Sequence, residues 1–156
     1  MVGWIMAWHN RLDNVWTINL LEVDNNESVL EVGFGPGRAI KLLSDANSST
    51  CIAGIDHSET MLKSAKRLNE KAIVADRVRL QLGSAEHLPF ADCTFDKAFS
   101  VNGIYFWKEP LQGLRELHRT LKPTGRAAIT VRDKEQGVYQ AFRPDKLKEL
   151  FTAAGF

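Results

Sequence analysis

The junction between Ser28-Val29-Leu30-Glu31-Val32 and Gly33-Phe34-Gly35-Pro36-Gly37 constrains this chain more than any other stretch of it. A short run rich in branched apolar residues reads as a strand. Three glycines in the next five residues give a loop whose backbone can approach a ligand closely or turn through positive φ. A helical pattern, Ala39 to Leu43, follows at once. The loop therefore ends on a helix N-terminus, whose unpaired N–H groups face whatever lies at the carboxyl end of the strand. A strand leading through such a loop into a helix is the opening of a parallel sheet, because parallel strands need a crossover.

The rest of the chain repeats the alternation. Trp8, Leu12, Trp16, Ile18 and Leu21 recur at helical spacing in an opening helix that ends near Val23, before Asp24-Asn25-Asn26. Further strands are expected at Cys51 to Ile55, Val78 to Leu82, Phe95 to Val101 and Arg126 to Val131. Helices are expected from a Ser58 cap to about Asn69, from Leu111 to Leu121, and from Pro144 to the Ala154-Gly155-Phe156 stop. The architecture this implies is α/β: a Rossmann-like, doubly wound sheet of order 3-2-1-4-5 with helices on both faces. Residues 1–27 read as a helical cap and residues 28–156 as the core of one domain.

Charge narrows the partners. Twenty Lys and Arg against 19 Asp and Glu, in 156 residues, leave a net charge of +1 with no long basic run. That is no footprint for a nucleic-acid backbone or an anionic membrane. The apolar opening from Met1 to Trp8 lacks a basic flank and a cleavage site, and no stretch approaches the ~20 apolar residues of a membrane span. Cys51 and Cys93 form no C-x-x-C pair, so reduced thiols and a cytoplasmic location are expected.

The glycine spacing is wrong for a dinucleotide, since Gly37 falls one residue early and Arg38 stands at the third glycine's place. Pro36 offers no N–H to a pyrophosphate, and Glu31 at the strand's carboxyl end repels phosphates and attracts a cation. S-adenosylmethionine, with an ammonium, a sulfonium and no phosphate, satisfies both conditions. At the end of the second strand, Asp56 in Gly54-Ile55-Asp56 can accept from both hydroxyls of a ribose, or can cap the next helix.

The ordered motifs Val29-Leu30-Glu31-Val32-Gly33-Phe34-Gly35-Pro36-Gly37, Gly54-Ile55-Asp56-His57-Ser58, Gly83-Ser84-Ala85-Glu86-His87-Leu88-Pro89-Phe90, Phe95-Asp96 and Leu121-Lys122-Pro123-Thr124-Gly125 resemble those of the class I S-adenosylmethionine-dependent methyltransferases. The likeness is to the small-molecule type with a Leu-Pro-Phe loop, and it covers about residues 28 to 156. It implies a cofactor cradled by Gly33, Phe34, Gly35 and Gly37, with its amino group near Glu31 and its ribose on Asp56 beside His57. Adenine would lie along Ser84, Ala85 and Glu86; Ser84 stands where the family usually has an acidic residue. Thr124 replaces a more usual glycine.

In the family, the segment Ser100 to Trp107 faces the methionine end of the cofactor and the acceptor, which makes Asn102 and Tyr105 the substrate-facing candidates. Phe106 and Trp107 are equally well read as packing. The segment lacks an Asn-Pro-Pro-Tyr motif, so the acceptor is expected to be a small molecule and not a nucleobase. In-line positioning can suffice for this displacement. His9, His57, His87 and His118 are not separable as a base, and no cluster has metal-ligand spacing. Trp4, Trp8 and Trp16 read as packing, or as a lid that also packs. The family continues with two strands after the last helix, so this chain reads as carboxyl-terminally truncated, with the fifth strand at an edge open to self-association.

Overall fold

The computed structural model describes residues 2–132 and 137–156, with side chains described from Leu12 onward. Expectations placed on the side chains of Trp4, Trp8 and His9 lie outside the described residues. The helices are α1 (Val2–Leu21), α2 (Arg38–Ala46), α3 (Glu59–Leu68), α4 (Glu70–Val74), α5 (Pro110–Thr120) and α6 (Pro144–Ala154). The strands are β1 (Ser28–Val32), β2 (Cys51–Asp56), β3 (Val78–Leu82), β4 (Phe95–Val101) and β5 (Leu121–Thr130), and 3₁₀ segments span Ile104–Phe106 and Gly137–Phe142. The five strands form one parallel sheet in the order β3-β2-β1-β4-β5, as the sequence implied. No described helix is long and apolar enough to cross a membrane.

The central strand β1 serves two cores. Val29 faces Phe99, Ile52 and Leu80 beneath Ile40, Leu43 and Ala65 of α2 and α3. Leu30 and Val32 face the other way, onto Ile55, Ala98 and Leu117 of α5. Strands covered on both faces read as nearly continuous apolar runs. Asn69 separates α3 from α4, a short helix that sequence periodicity does not reveal. Its buried amide donates to the carbonyls of Gly37 and Ala65, each at 3.0 Å, tying α3 to the glycine loop.

Two of the sequence motifs hold the fold away from the site. At the amino end of the sheet, Asp96 accepts from the Ser28 N–H at 2.9 Å and from Lys122 Nζ at 2.8 Å. Burial raises the Asp96 carboxyl, but the Lys122 ammonium and the Ser28 N–H outweigh it and leave it below its ordinary value. The Leu88-Pro89-Phe90 loop is stapled to α5: Leu88 N donates to Glu116, while Arg119 donates to Glu116, to Asp92 and to the carbonyls of Leu88 and Phe90. Replacing Arg119 with Met removes these charge-assisted bonds, and we expect a loss of roughly 2 kcal/mol, seen as a melting point lower by roughly 4–8 °C.

Two expectations are corrected. β5 begins at Leu121 and not at Arg126, because Leu121 already pairs with Phe95 ahead of an irregularity between Phe95 and Lys97. In α1, the face turned inward is Asn14, Thr17 and Leu21, whereas Leu12 and Trp16 of the expected apolar stripe are 61% and 59% exposed. Hydrogen bonds hold this face down. The Thr17 hydroxyl meets that of Thr130 on β5, and Glu22 pairs with Arg126 at 2.7 Å.

Candidate functional site

The strand order reverses at β1, which has β2 on one side and β4 on the other. Ligands of doubly wound sheets bind at such a reversal, beyond the carboxyl ends of the strands. The loops that follow β1, β2 and β4 meet there.

The glycine loop folds back on β2, with Gly33 N donating to the Ile55 carbonyl at 2.7 Å and Gly37 N to that of Phe34 at 2.9 Å. Gly33, Gly35 and Gly37 have φ of 80°, 53° and 79°, the left-handed region that glycine alone enters freely. Their surroundings differ. A Cβ on Gly37 would lie 2.7 Å from both Ala65 Cβ and Asn69 Nδ2, so Gly37 lets α3 pack. A Cβ on Gly35 would meet nothing within 4 Å, so the loop leaves open space there. The Phe34 side chain is 3% exposed and packs in the core beside Ile40, so the part of Phe34 that the loop can offer a ligand is its backbone.

Asp56 is held from two sides, accepting from Gly35 N at 2.8 Å and from Ser58 N at 2.9 Å. It is not the cap of α3. Ser58 fills that position and accepts from Met61 N. Two accepted bonds leave the Asp56 carboxylate with further acceptor capacity. His57 is exposed, with Nδ1 3.8 Å from Asp56 Oδ1.

Glu31 is 2% exposed, and its Oε2 has no hydrogen-bond partner among the described residues. Burial, and then the negative charge of Asp56, push its carboxyl well above the ordinary value. Ser100 Oγ and Asn102 Oδ1 are also buried without partners, so three of the four such atoms among the described residues lie toward the ends of β1 and β4; the fourth is Asn69 Oδ1, between α3 and α4. The two ends touch, since a Cβ on Gly103 would approach the Val32 carbonyl to 3.1 Å. Unsatisfied buried groups in a folded protein call for a ligand, water or ion. A buried carboxylate suits a cation, the fixed Asp56 suits hydroxyls, and the space over Gly35 admits a bulky group, so these residues fit S-adenosylmethionine.

The loop after β3 is engaged with the protein. Ser84 bridges to His87, and Ala85 is buried in the core with Leu30 and Val32. Glu86 accepts from Glu109 N at 3.2 Å. Burial raises the Glu86 carboxyl, but backbone N–H groups and the Ser84 side chain bring it below its ordinary value.

Asn102 has a φ of 54° and donates from Nδ2 to Asp13 Oδ2 at 2.8 Å. Asp13 also meets Arg132 Nε at 3.7 Å. The Tyr105 hydroxyl accepts from Arg132 N, and its ring packs edge-on against Tyr139 and Phe142, with centroids 4.8 and 5.5 Å away. Burial first, then Tyr139 and Asp13, raise the Tyr105 phenol despite the Arg132 N–H. Trp107 packs against Gly113, as its packing reading had it, while Phe106 is 72% exposed. Sequence reading misses Asp13. The signal available was the spacing of Asp13, Asn14 and Thr17, which puts three polar residues on one side of a predicted helix.

Comparison with known proteins agrees with this geometry. Residues 30–129 match the family model described as methyltransferase domain. The methyltransferase YdaC of Bacillus subtilis strain 168 is 38% identical over 164 residues, covering 100% of this chain and 86% of its own length. The ubiquinone/menaquinone biosynthesis C-methyltransferase UbiE of Geotalea daltonii is 33% identical over 122 residues; the match covers 76% of this chain but 52% of that enzyme. A solved SAM-dependent methyltransferase from Thermotoga maritima superposes with a TM-score of 0.75 at 27% identity, over 99% of this chain and 77% of its own. A sheet of order 3-2-1-4-5, with an acidic glycine-loop crevice at its reversal, is thus accompanied by a family match over most of its length, and the chain belongs to the methyltransferase domain family as an S-adenosylmethionine-dependent methyltransferase.

Proposed function

We propose that the chain methylates a small, largely apolar acceptor, with the cofactor lying across the ends of β2 and β1 and the acceptor on the β4 side. The buried, unpartnered Glu31 carboxylate carries this reading, because in this crevice it is the group that gains most from a cation. When bound, S-adenosylmethionine supplies a methyl group already activated on a sulfonium. Glu31 holds the ammonium, Asp56 the ribose hydroxyls with His57 beside them, and the backbone of Gly33 to Gly37 the body of the cofactor. Ser84, Ala85 and Glu86 flank the adenine, and Asn102 borders the methionine end. No base is assigned to the reaction; positioning lowers the barrier by holding the reacting atoms close and in line. The similarity to a ubiquinone/menaquinone C-methyltransferase supports an acceptor with a ring. The exposed Phe106 beside Tyr105 supports an apolar one. The edge of β5 is the surface through which copies of the chain would associate.

Asp56→Ala tests the assignment. It removes acceptors of charge-assisted hydrogen bonds, and we expect S-adenosylhomocysteine to bind roughly 10–150-fold more weakly by calorimetry, about 1.5–3 kcal/mol. An unchanged dissociation constant in a folded Asp56→Ala protein would refute the ribose role.

A further inference from the structure

The unusual orientation of α1 asks for a reason. A helix retained only for packing turns its apolar face inward. Here Leu12, Trp16 and Leu20 are exposed while Asn14 and Thr17 are buried, and the same rotation brings Asp13 to the loop after β4. Both contacts of the Asp13 carboxylate, from Asn102 Nδ2 and Arg132 Nε, run through Oδ2. Oδ1 accepts no hydrogen bond among the described residues, and the side chain is 28% exposed. One oxygen is anchored, and the other keeps its acceptor capacity on a partly exposed side chain, so the carboxylate is held in place and still able to accept from a ligand.

We propose that Asp13 binds the methyl acceptor through Oδ1, and that the acceptor is an aromatic molecule bearing a hydroxyl group. This rests on the methyltransferase reading of the crevice given above. With Asp56 at the end of β2 and Glu31 at the end of β1 taken by the cofactor, the acceptor is left the β4 and β5 side, where Asn102, Arg132 and Asp13 stand. The neighbouring surface is aromatic. Tyr105 is braced by Tyr139 and Phe142, its hydroxyl is held by Arg132 N, and Phe106 next to it is exposed. A flat ring suits those side chains, and an ionised carboxylate, which accepts and does not donate, selects a hydroxyl over an ether.

The experiment uses the whole chain with S-adenosylhomocysteine at saturation, and compares 1-naphthol with 1-methoxynaphthalene as probes by calorimetry. The wild type should bind the naphthol at least 10-fold more tightly than the ether. Asp13→Ala should bring the naphthol down to the affinity of the ether, leave the ether unchanged, and leave S-adenosylhomocysteine affinity within 2-fold. Asp13→Asn keeps the shape and one acceptor oxygen, guards against misfolding of the alanine variant, and should retain an intermediate preference. Equal weakening of both probes in either variant would reduce Asp13 to a strut for α1 and overturn the proposal. Equal or absent binding of the two probes to the wild type would overturn it as well. Failure of the wild type to bind S-adenosylhomocysteine would instead strike the cofactor reading beneath it.

Discussion

Glu31→Gln should raise the melting temperature of the cofactor-free protein and, in the same molecule, weaken S-adenosylhomocysteine binding by roughly 150–5,000-fold, the roughly 3–5 kcal/mol lost when one partner of a buried ion pair is removed. The two effects share a cause. A fully buried carboxyl without a partner on Oε2 is held well above the ordinary value of 4.5 by burial, and further by Asp56. A carboxyl whose folded value is raised binds protons more readily in the folded chain than in the unfolded one. It therefore costs no stability below the ordinary value, and the cost grows as pH rises until it is complete above the raised value. The melting gain of Glu31→Gln should accordingly be larger at pH 9 than at pH 5. Cofactor affinity has the opposite dependence, because the ammonium needs the ionised form: binding to wild type should strengthen as pH climbs from 4.5 through the raised value, and Glu31→Gln should lose that slope. Calorimetry across pH checks both. A variant that melts lower than wild type at pH 9, or binds as tightly, would show that Glu31 has its partner within the protein.

The same substitution at two glycines two residues apart should give opposite failures. Gly37→Val should unfold much of the protein: a branched side chain at φ 79° would overlap Ala65 and Asn69 at 2.7 Å and break the tie between α3 and the loop. Strain and overpacking together cost on the order of 3–6 kcal/mol, a large share of the ~5–15 kcal/mol that hold a domain. Gly35→Val should stay folded, because nothing lies within 4 Å of its Cβ and the penalty is the φ of 53° alone, on the order of 1–3 kcal/mol. It should nevertheless abolish S-adenosylhomocysteine binding, since the space the valine fills is the space offered to the ligand. Circular dichroism and calorimetry on the pair separate the two. A Gly35→Val protein that is folded and still binds would remove the loop from the site.

What could be read in advance follows from how far each residue's partners lie. The bounds of β3 and β4 are legible because short segments of apolar residues interleaved with polar ones, as in Val78-Arg79-Leu80-Gln81-Leu82, stand between turn residues such as Gly83-Ser84 and Asn102-Gly103. Ser58 as a cap is legible too, since its partner Met61 is three residues away. The start of β5 is not: Lys122-Pro123-Thr124-Gly125 carries turn chemistry, while Leu121 pairs with a strand 26 positions back in the chain. Spacing likewise finds a helix in α1 but cannot say which side is down. That is decided by Asn102 and Thr130, 89 and 113 residues from their partners Asp13 and Thr17. Phe34 shows the same limit inside a motif, where neighbouring glycines made it look like loop while Ile40 and Gly54 made it core.

Those long separations also set a schedule for the molecule as it is made. The helix α1 leaves the ribosome before the sheet, but the residues that hold it, Asn102 just after β4 and Arg126 and Thr130 in β5, come with the last two strands to be synthesised. At roughly 5–20 residues per second, the 113 positions between Thr17 and Thr130 take about 6–20 s to translate. Through that interval α1 lacks the hydrogen bonds that decide which of its sides faces inward, and the side that carries Leu12, Trp16 and Leu20 becomes the outer one only when β4 and β5 are in place.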